Sequence, residues 1–213
     1  MLSATAIVEL HDQLTRGWHQ TPSGELGAVC SGTNTNPVAD SEWLQAVAVQ
    51  HRANFLLWHI EDEARTPGAS DTELADVKRR VDSTNQLRND LTEKLDRALL
   101  SWLGSRDLPN PESPLHSESP GLIIDRLSIL ALKIYHTREE AERTDAPAGH
   151  SERNRERLGI LNEQRSDLAE CLDALWNETL NGTRRFKLYR QLKMYNDPLL
   201  NPAIYKKSSE APS

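Results

Sequence analysis

Apolar positions in this chain recur every three or four residues and nowhere alternate with period two over a convincing length, so the pattern predicts helices and no strands. A first short amphipathic helix is predicted over residues 3–18. Residues 20–40, rich in Gly, Pro, Ser, Thr and Asn, read as a loop. Asp40 or Ser41 then caps a helix running to about residue 65, which Pro67-Gly68 closes. Ser70-Asp71-Thr72-Glu73 has capping-box spacing and opens a long helix to about residue 103. A Pro/Ser loop over 104–120 leads to a helix over 122–144, broken by Ala146-Pro147-Ala148-Gly149. Another long helix over 151–180 stops at Asn181-Gly182, and a short basic helix is expected over 183–195 before Asn196-Asp197-Pro198. The fold class is therefore all-α, in one domain spanning 1–213.

The chain repeats itself at an offset of 77 residues. Trp58-His59-Ile60-Glu61-Asp62-Glu63-Ala64 matches Tyr135-His136-Thr137-Arg138-Glu139-Glu140-Ala141 at that spacing. Residues 85–96 match residues 162–173 at the same spacing without a gap, and seven of those twelve positions are identical. The identities are mostly polar, which chance pairing of two helices seldom gives. The expectation is an internally duplicated helical hairpin, with copies at about 41–103 and 118–180. The two hairpins would form a pseudo-twofold four-helix core, joined by N- and C-terminal helices, the latter a basic helix and tail over 183–205.

Helical geometry sorts the repeated residues. Arg88 falls inside the apolar arc of Val81, Leu87, Leu91, Leu95, Ala98 and Leu99, with Asn85 and Asp96 at its edge and Glu93 further round. Asn162, Arg165, Glu170 and Asp173 take the same places in the second copy. His59 shares a face with Glu63, and His136 with Glu140. Charges that approach a core are costly unless paired or metal-bound. One reading is a structural network in which the arginines pair with carboxylates of the opposite hairpin. The other is a site in which Glu63, Glu93, Asp96, Glu140, Glu170 and Asp173 hold Mg²⁺ or Mn²⁺, ions that favour oxygen ligands. His59 or His136 would then serve as acid or base. The Glu-x-x-Asp spacing at 93–96 and 170–173 resembles that of the all-α MazG-like nucleotide pyrophosphohydrolases, although the final Glu of that family's first acidic motif is missing here.

The segment 184–195 carries five cations and no acid. Lys187, Arg190 and Lys193 would neutralise phosphate, with Asn85, Arg88, Asn162, Arg165, Tyr195 and Asn196 completing a substrate site and Tyr189 stacking on a base or sugar. The same cations would otherwise dress the outside of an acidic bundle.

Composition narrows the class. The 213 residues carry a net charge of −7, which disfavours nucleic acid as a partner. The longest apolar run, Phe55-Leu56-Leu57-Trp58, is far short of a membrane span. Residues 1–9 lack a basic leader and read as the start of a helix, so a cytoplasmic protein is expected. Cys30 and Cys171 read as plain thiols. His11, His19, His51, His116 and His150 are expected at the surface, and Trp43, Trp58, Trp102 and Trp176 in or beside the core.

The runs Asn85-Gln86-Leu87-Arg88-Asn89-Asp90-Leu91, 124–136 and Tyr189-Arg190-Gln191-Leu192-Lys193-Met194-Tyr195-Asn196-Asp197-Pro198 resemble the bacterial domain-of-unknown-function family 4254, over about residues 40–205. The resemblance implies a one-domain bacterial protein with a link to sugar or nucleotide-sugar chemistry, and supplies no catalytic residue. The leading expectation is a divalent-metal-dependent hydrolase or transferase acting on a phosphorylated small molecule, such as a nucleotide or nucleotide sugar. The alternative is a non-catalytic binding or accessory protein of such a pathway, with a protein partner or a second copy.

Overall fold

The computed structural model describes residues 2–20, 42–192 and 199–202. Five helices follow in chain order: α1 Ala4–Gln20, α2 Glu42–Glu63, α3 Asp71–Gly104, α4 Pro120–Glu142 and α5 His150–Leu180. No strand occurs among the described residues.

Local chemistry sets the helix limits. The Ser70 side chain accepts from the Glu73 N–H while the Glu73 carboxylate accepts from the Ser70 N–H, the predicted capping box. Ser119 caps α4, with Pro120 in its first turn. Gly149 precedes α5 at φ +77°, a conformation that favours glycine.

α2 and α4 form the centre. They run parallel, because Gln50 and Asn54 meet Asp125, His51 meets Ser128, and Trp58 and His59 meet His136. α3 folds back on α2 and α5 on α4, and α1 packs on α2, α4 and α5. α1 buries Ile7, Leu10, His11, Leu14, Thr15 and Trp18, a stripe at three- and four-residue spacing.

The limits of α2 and α3, moved by 77 positions, fall within two residues of those of α4 and α5. Arg88 of α3 pairs with Asp125 on α4, and Asp96 accepts from the Gly121 N–H at the start of α4. Arg165 of α5 instead pairs with Asp12 on α1, and Asp173 accepts from the Ala4 N–H at the start of α1. Each hairpin's second helix thus uses an Arg and an Asp eight residues apart in the same way. The partner helix differs because α1 stands beside α5 where α4 stands beside α3.

The expected basic helix over 183–195 is not formed in its described part. Residues 183–192 contain no helix and run as an extended strap against the 104–119 loop. The Arg185 N–H donates to the Pro114 carbonyl (3.0 Å) and the Arg185 carbonyl accepts from the His116 N–H (2.7 Å). Phe186, 1% exposed, anchors the strap in the core. Backbone groups spent on the loop cannot also close a helical turn.

Candidate functional site

A polar cleft of about 310 Å³ lies between α3, α4 and the strap. Asn85, Arg88, Glu93 and Asp96 of the repeated α3 motif line it, joined by Asp125, Tyr189 and Gln191. Three helical turns of α3 present these residues because their spacing keeps them near one face.

Asp125 is a buried acid of the cleft. Arg88 holds both its oxygens, Nε donating to Oδ1 at 2.8 Å, while Gln50 Nε2 (2.6 Å) and Asn54 Nδ2 (2.9 Å) also donate to Oδ1. The hydrogen bonds to Asp125, and then its opposite charge, hold the Arg88 guanidinium above its usual range. Glu93 accepts from the Gln191 N–H at 3.0 Å, which ties the strap across the cleft mouth.

Asp96 accepts from the Ser119 hydroxyl and the Gly121 N–H (2.7 Å). Burial pushes its carboxyl up to about 6, against the pull of those two bonds. The folded carboxyl therefore takes up a proton below about pH 6, where the unfolded one waits until about pH 4. Its contribution to stability falls as pH rises from about 4 to about 6 and is level above that. Asp96→Asn is expected to remove this dependence. Urea unfolding of both proteins should show the variant losing ground to the wild type as pH falls through that window. A constant difference would contradict the assignment.

A buried polar seam leads from the cleft along the bundle. Asn54 Nδ2 reaches both Asp125 and the Ser128 hydroxyl (2.9 Å each), and His51 Nδ1 lies 2.7 Å from Ser128 Oγ. His51 Nε2 lies 2.9 Å from Thr15 Oγ1, and the Thr15 carbonyl accepts from His19 Nδ1 at 2.7 Å. His11 stacks on His51 at 4.4 Å. His11 and His51 were expected at the surface, yet both are fully buried. Burial lowers the His11 imidazole to about 3 and holds His51 well below its usual value. Lowered histidines stabilise the fold above about pH 6.5 and lose that contribution as pH falls, because the unfolded rings bind protons first. This runs opposite to Asp96 and involves two groups. Acid unfolding is therefore expected below pH 6, with a smaller proton uptake in His11→Phe. An unchanged uptake on titrating the variant would contradict it.

The seam ends at His19, His59 and His136, where α1, α2 and α4 converge. One ring nitrogen of each lies within 4.8 Å of the others. His59 and His136 were singled out by the repeat. His19 was read as a surface residue, but it stacks on Tyr135 at 4.2 Å and meets His59 and His136 edge-on at 5.2 and 4.9 Å.

The six carboxylates expected to hold metal do not converge. Glu63 forms a two-point pair with Arg80 (2.5 and 3.0 Å), and Glu140 is held by His150 (2.7 Å) and Arg143. Glu170 is exposed, Asp173 faces the start of α1, and only Glu93 and Asp96 share the cleft. The arginine of each hairpin pairs with a helix packed against it, so the two substrate half-sites separate as well. Asn162 is exposed and bonded to the Leu158 carbonyl, while Arg165 faces Asp12 on the other side of the bundle. Lys187 and Arg190 are exposed on the strap beside Tyr189. Lys193, Tyr195, Asn196 and Cys30 lie outside the described residues. Cys171 is an exposed free thiol.

A family model described as "Protein of unknown function (DUF4254)" matches residues 44–188. The chain belongs to this family. The DUF4254 match takes in α2 to α5 and the start of the strap, hence all of the α3 and α4 residues of the cleft and both His59 and His136. It leaves α1, with His19, outside. Neither the comparison with curated proteins nor that with solved structures gives a match. No helix among the described residues is long and apolar enough to cross a membrane.

Sequence reasoning missed Asp125 and His19. Asp125 has no counterpart in the 77-residue repeat, since Ala48 stands at the equivalent position. His19 follows Thr15 by four and Trp18 by one, so its place beside the apolar stripe of α1 was available as a signal.

Proposed function

We propose that this DUF4254 protein binds a small hydroxylated molecule, a sugar or sugar phosphate, in the cleft between α3, α4 and the strap, and acts on it by acid–base chemistry. The observation that carries the reading is the meeting of Asn85, Arg88, Glu93 and Asp96 with Asp125 and Tyr189 in one polar cleft. Carboxylates and amides at this density suit hydroxyl donors. Tyr189, 40% exposed, offers a ring face for a sugar. A bare phosphate would meet Glu93, Asp96 and Asp125, with Arg88 already engaged by Asp125. It therefore belongs towards Lys187 and Arg190, or enters with Mg²⁺ or Mn²⁺, which bind through one or two carboxylates and substrate phosphate together. Asp96, with its carboxyl near 6, is the group suited to move a proton at neutral pH.

The test is a thermal-shift screen of the full chain against sugars, sugar phosphates and nucleotide sugars, crossed with Mg²⁺, Mn²⁺ and EDTA. A ligand at 100 times its Kd adds about 2.7 kcal/mol, enough to move the midpoint by several degrees. Glu93→Gln should erase the shift. Asp96→Asn should keep binding and lower kcat by about 100-fold or more. Binding without product formation would leave the non-catalytic reading, in which the same cleft serves an accessory protein. No shift with any of these ligands would overturn the proposal.

We also infer that the two hairpins arose by duplication. The recurrence of helix limits and the parallel use of Arg88/Asp96 and Arg165/Asp173 support it. Superposition of α2–α3 on α4–α5 through a rotation near 180° is the expected result, and a poor fit would sink the idea.

A further inference from the structure

We propose that His19, His59 and His136 form a three-histidine site for a late first-row divalent ion of the Zn²⁺, Co²⁺ or Ni²⁺ kind. The proposal stands on residues outside the cleft and does not depend on the reading given there.

Three observations support a ligand at this place rather than a stack of packed rings. The first is convergence, with one nitrogen from each ring within 4.8 Å of the other two. The second is the direction of the lone pairs. The Thr15 carbonyl can only accept, so His19 Nδ1 carries the proton and Nε2 carries the lone pair. The Glu139 carboxylate, 2.9 Å from His136 Nδ1, fixes that ring in the same tautomer. His19 Nε2 and His136 Nε2 are both buried and have no hydrogen-bond partner among the described residues. Unpaired polar atoms of this kind are costly, and a cation between them removes the cost. A hydrogen bond from Nδ1–H to a carbonyl or carboxylate is also the usual outer-shell support of a metal-bound histidine.

The third observation is the surrounding field. His19 and His59 lie in or near the last turns of α1 and α2, so two helix C-termini direct negative partial charge at the cluster. Asp62 and Glu139 add formal negative charge nearby, against the positive charge of Arg52 beside His59. Burial first, and the neighbouring rings second, lower the His59 imidazole, while burial does the same for His19. Both shifts favour the neutral ring, which is the ligating form. Phe55 and Trp58 pack on His59 and His136 and restrict water.

The donor set decides the ion. Three imidazole nitrogens and no carboxylate suit Zn²⁺, Co²⁺, Ni²⁺ or Cu²⁺ and not Mg²⁺ or Ca²⁺. Metal–nitrogen bonds of about 2.0–2.1 Å require the three nitrogens to draw closer than they stand, within reach of small ring rotations. Three protein ligands leave a fourth position for water or an anion. Because His19 belongs to α1, the ion also ties that helix to the central pair.

The test uses the full chain, stripped with EDTA and titrated with Zn²⁺ and with Mg²⁺ by calorimetry, and with Co²⁺ by visible absorption. One equivalent of Zn²⁺ is expected, with no Mg²⁺ heat and a tetrahedral or five-coordinate Co²⁺ spectrum. His59→Ala and His136→Ala should each weaken Zn²⁺ binding by 100-fold or more. Glu139→Gln, on an exposed side chain, should weaken it about 10-fold or more while leaving the metal-free thermal midpoint unchanged. This variant decides the matter if a histidine variant fails to fold. Absence of Zn²⁺ and Co²⁺ binding by the wild type would overturn the proposal. So would binding that both His59→Ala and Glu139→Gln leave intact, since the metal would then sit elsewhere, as at His116 or His150.

Discussion

Arg88→Met is expected to destabilise the protein by about 3 kcal/mol, the low end for breaking a buried ion pair. The side chain of Asp125 is 8% exposed and would be left with only Gln50 and Asn54 as partners. Arg165→Met is the matched control from the other hairpin. Its partner Asp12 is 28% exposed, so water takes over when the arginine leaves and the loss should be about 1 kcal/mol or less. Adding Asp125→Asn to Arg88→Met should recover part of the loss, because a neutral amide oxygen still accepts from Gln50 and Asn54. Urea unfolding of the four proteins measures all of this. Equal losses for Arg88→Met and Arg165→Met would mean that Asp125 reaches water.

Gly121→Ala is expected to cost about 3 kcal/mol as well, for a steric reason. An added Cβ would sit 2.7 Å from the Thr92 carbonyl oxygen and 2.8 Å from Asp96 Oδ1. Both atoms belong to α3, so α3 and α4 must separate, and the bond from Gly121 N–H to Asp96 lengthens. Overpacking costs about 1–3 kcal/mol and a weakened buried bond about 1–3 more. The better helix propensity of alanine returns about 1 kcal/mol at most. Gly159 on α5 meets nothing within 4 Å, so Gly159→Ala should gain that propensity without the clash. A thermal midpoint that rises for Gly159→Ala and falls for Gly121→Ala is the expected pair. A rise for both would show that the α3–α4 crossing yields easily.

The helices were legible because their signals are local. The Ser70/Glu73 box and the Gly149 and Asn181-Gly182 breaks place the limits of α3 and α5 to within a residue or two. Segment 183–192 was misread because cations at helical spacing say nothing about Phe186, whose burial depends on a loop 70 residues earlier in the chain. The cleft was half legible. Asn85, Arg88, Glu93 and Asp96 lie on one helix, and periodicity groups them, while Asp125 arrives from α4 by tertiary packing. The second-copy residues were assigned the same site by symmetry. That symmetry fails where α1 stands beside α5, which sends Arg165 to Asp12 and Asp173 to the start of α1. The histidines His11, His19 and His51 were placed at the surface because a lone polar residue usually belongs there. His11 and His51 are instead part of a buried polar seam through the core.

The most direct test of the cleft is an amide ¹H–¹⁵N spectrum of the full chain titrated with the ligand that gives the largest thermal shift. Saturable changes at Asn85, Arg88, Asn89, Glu93, Tyr189 and Gln191 are predicted, and Glu93→Gln should abolish them. Changes confined to an apolar groove between α2 and α3 lined by Val49, Leu99 and Trp102, or to the histidine end of the bundle, with residues 85–96 unmoved, would contradict the account.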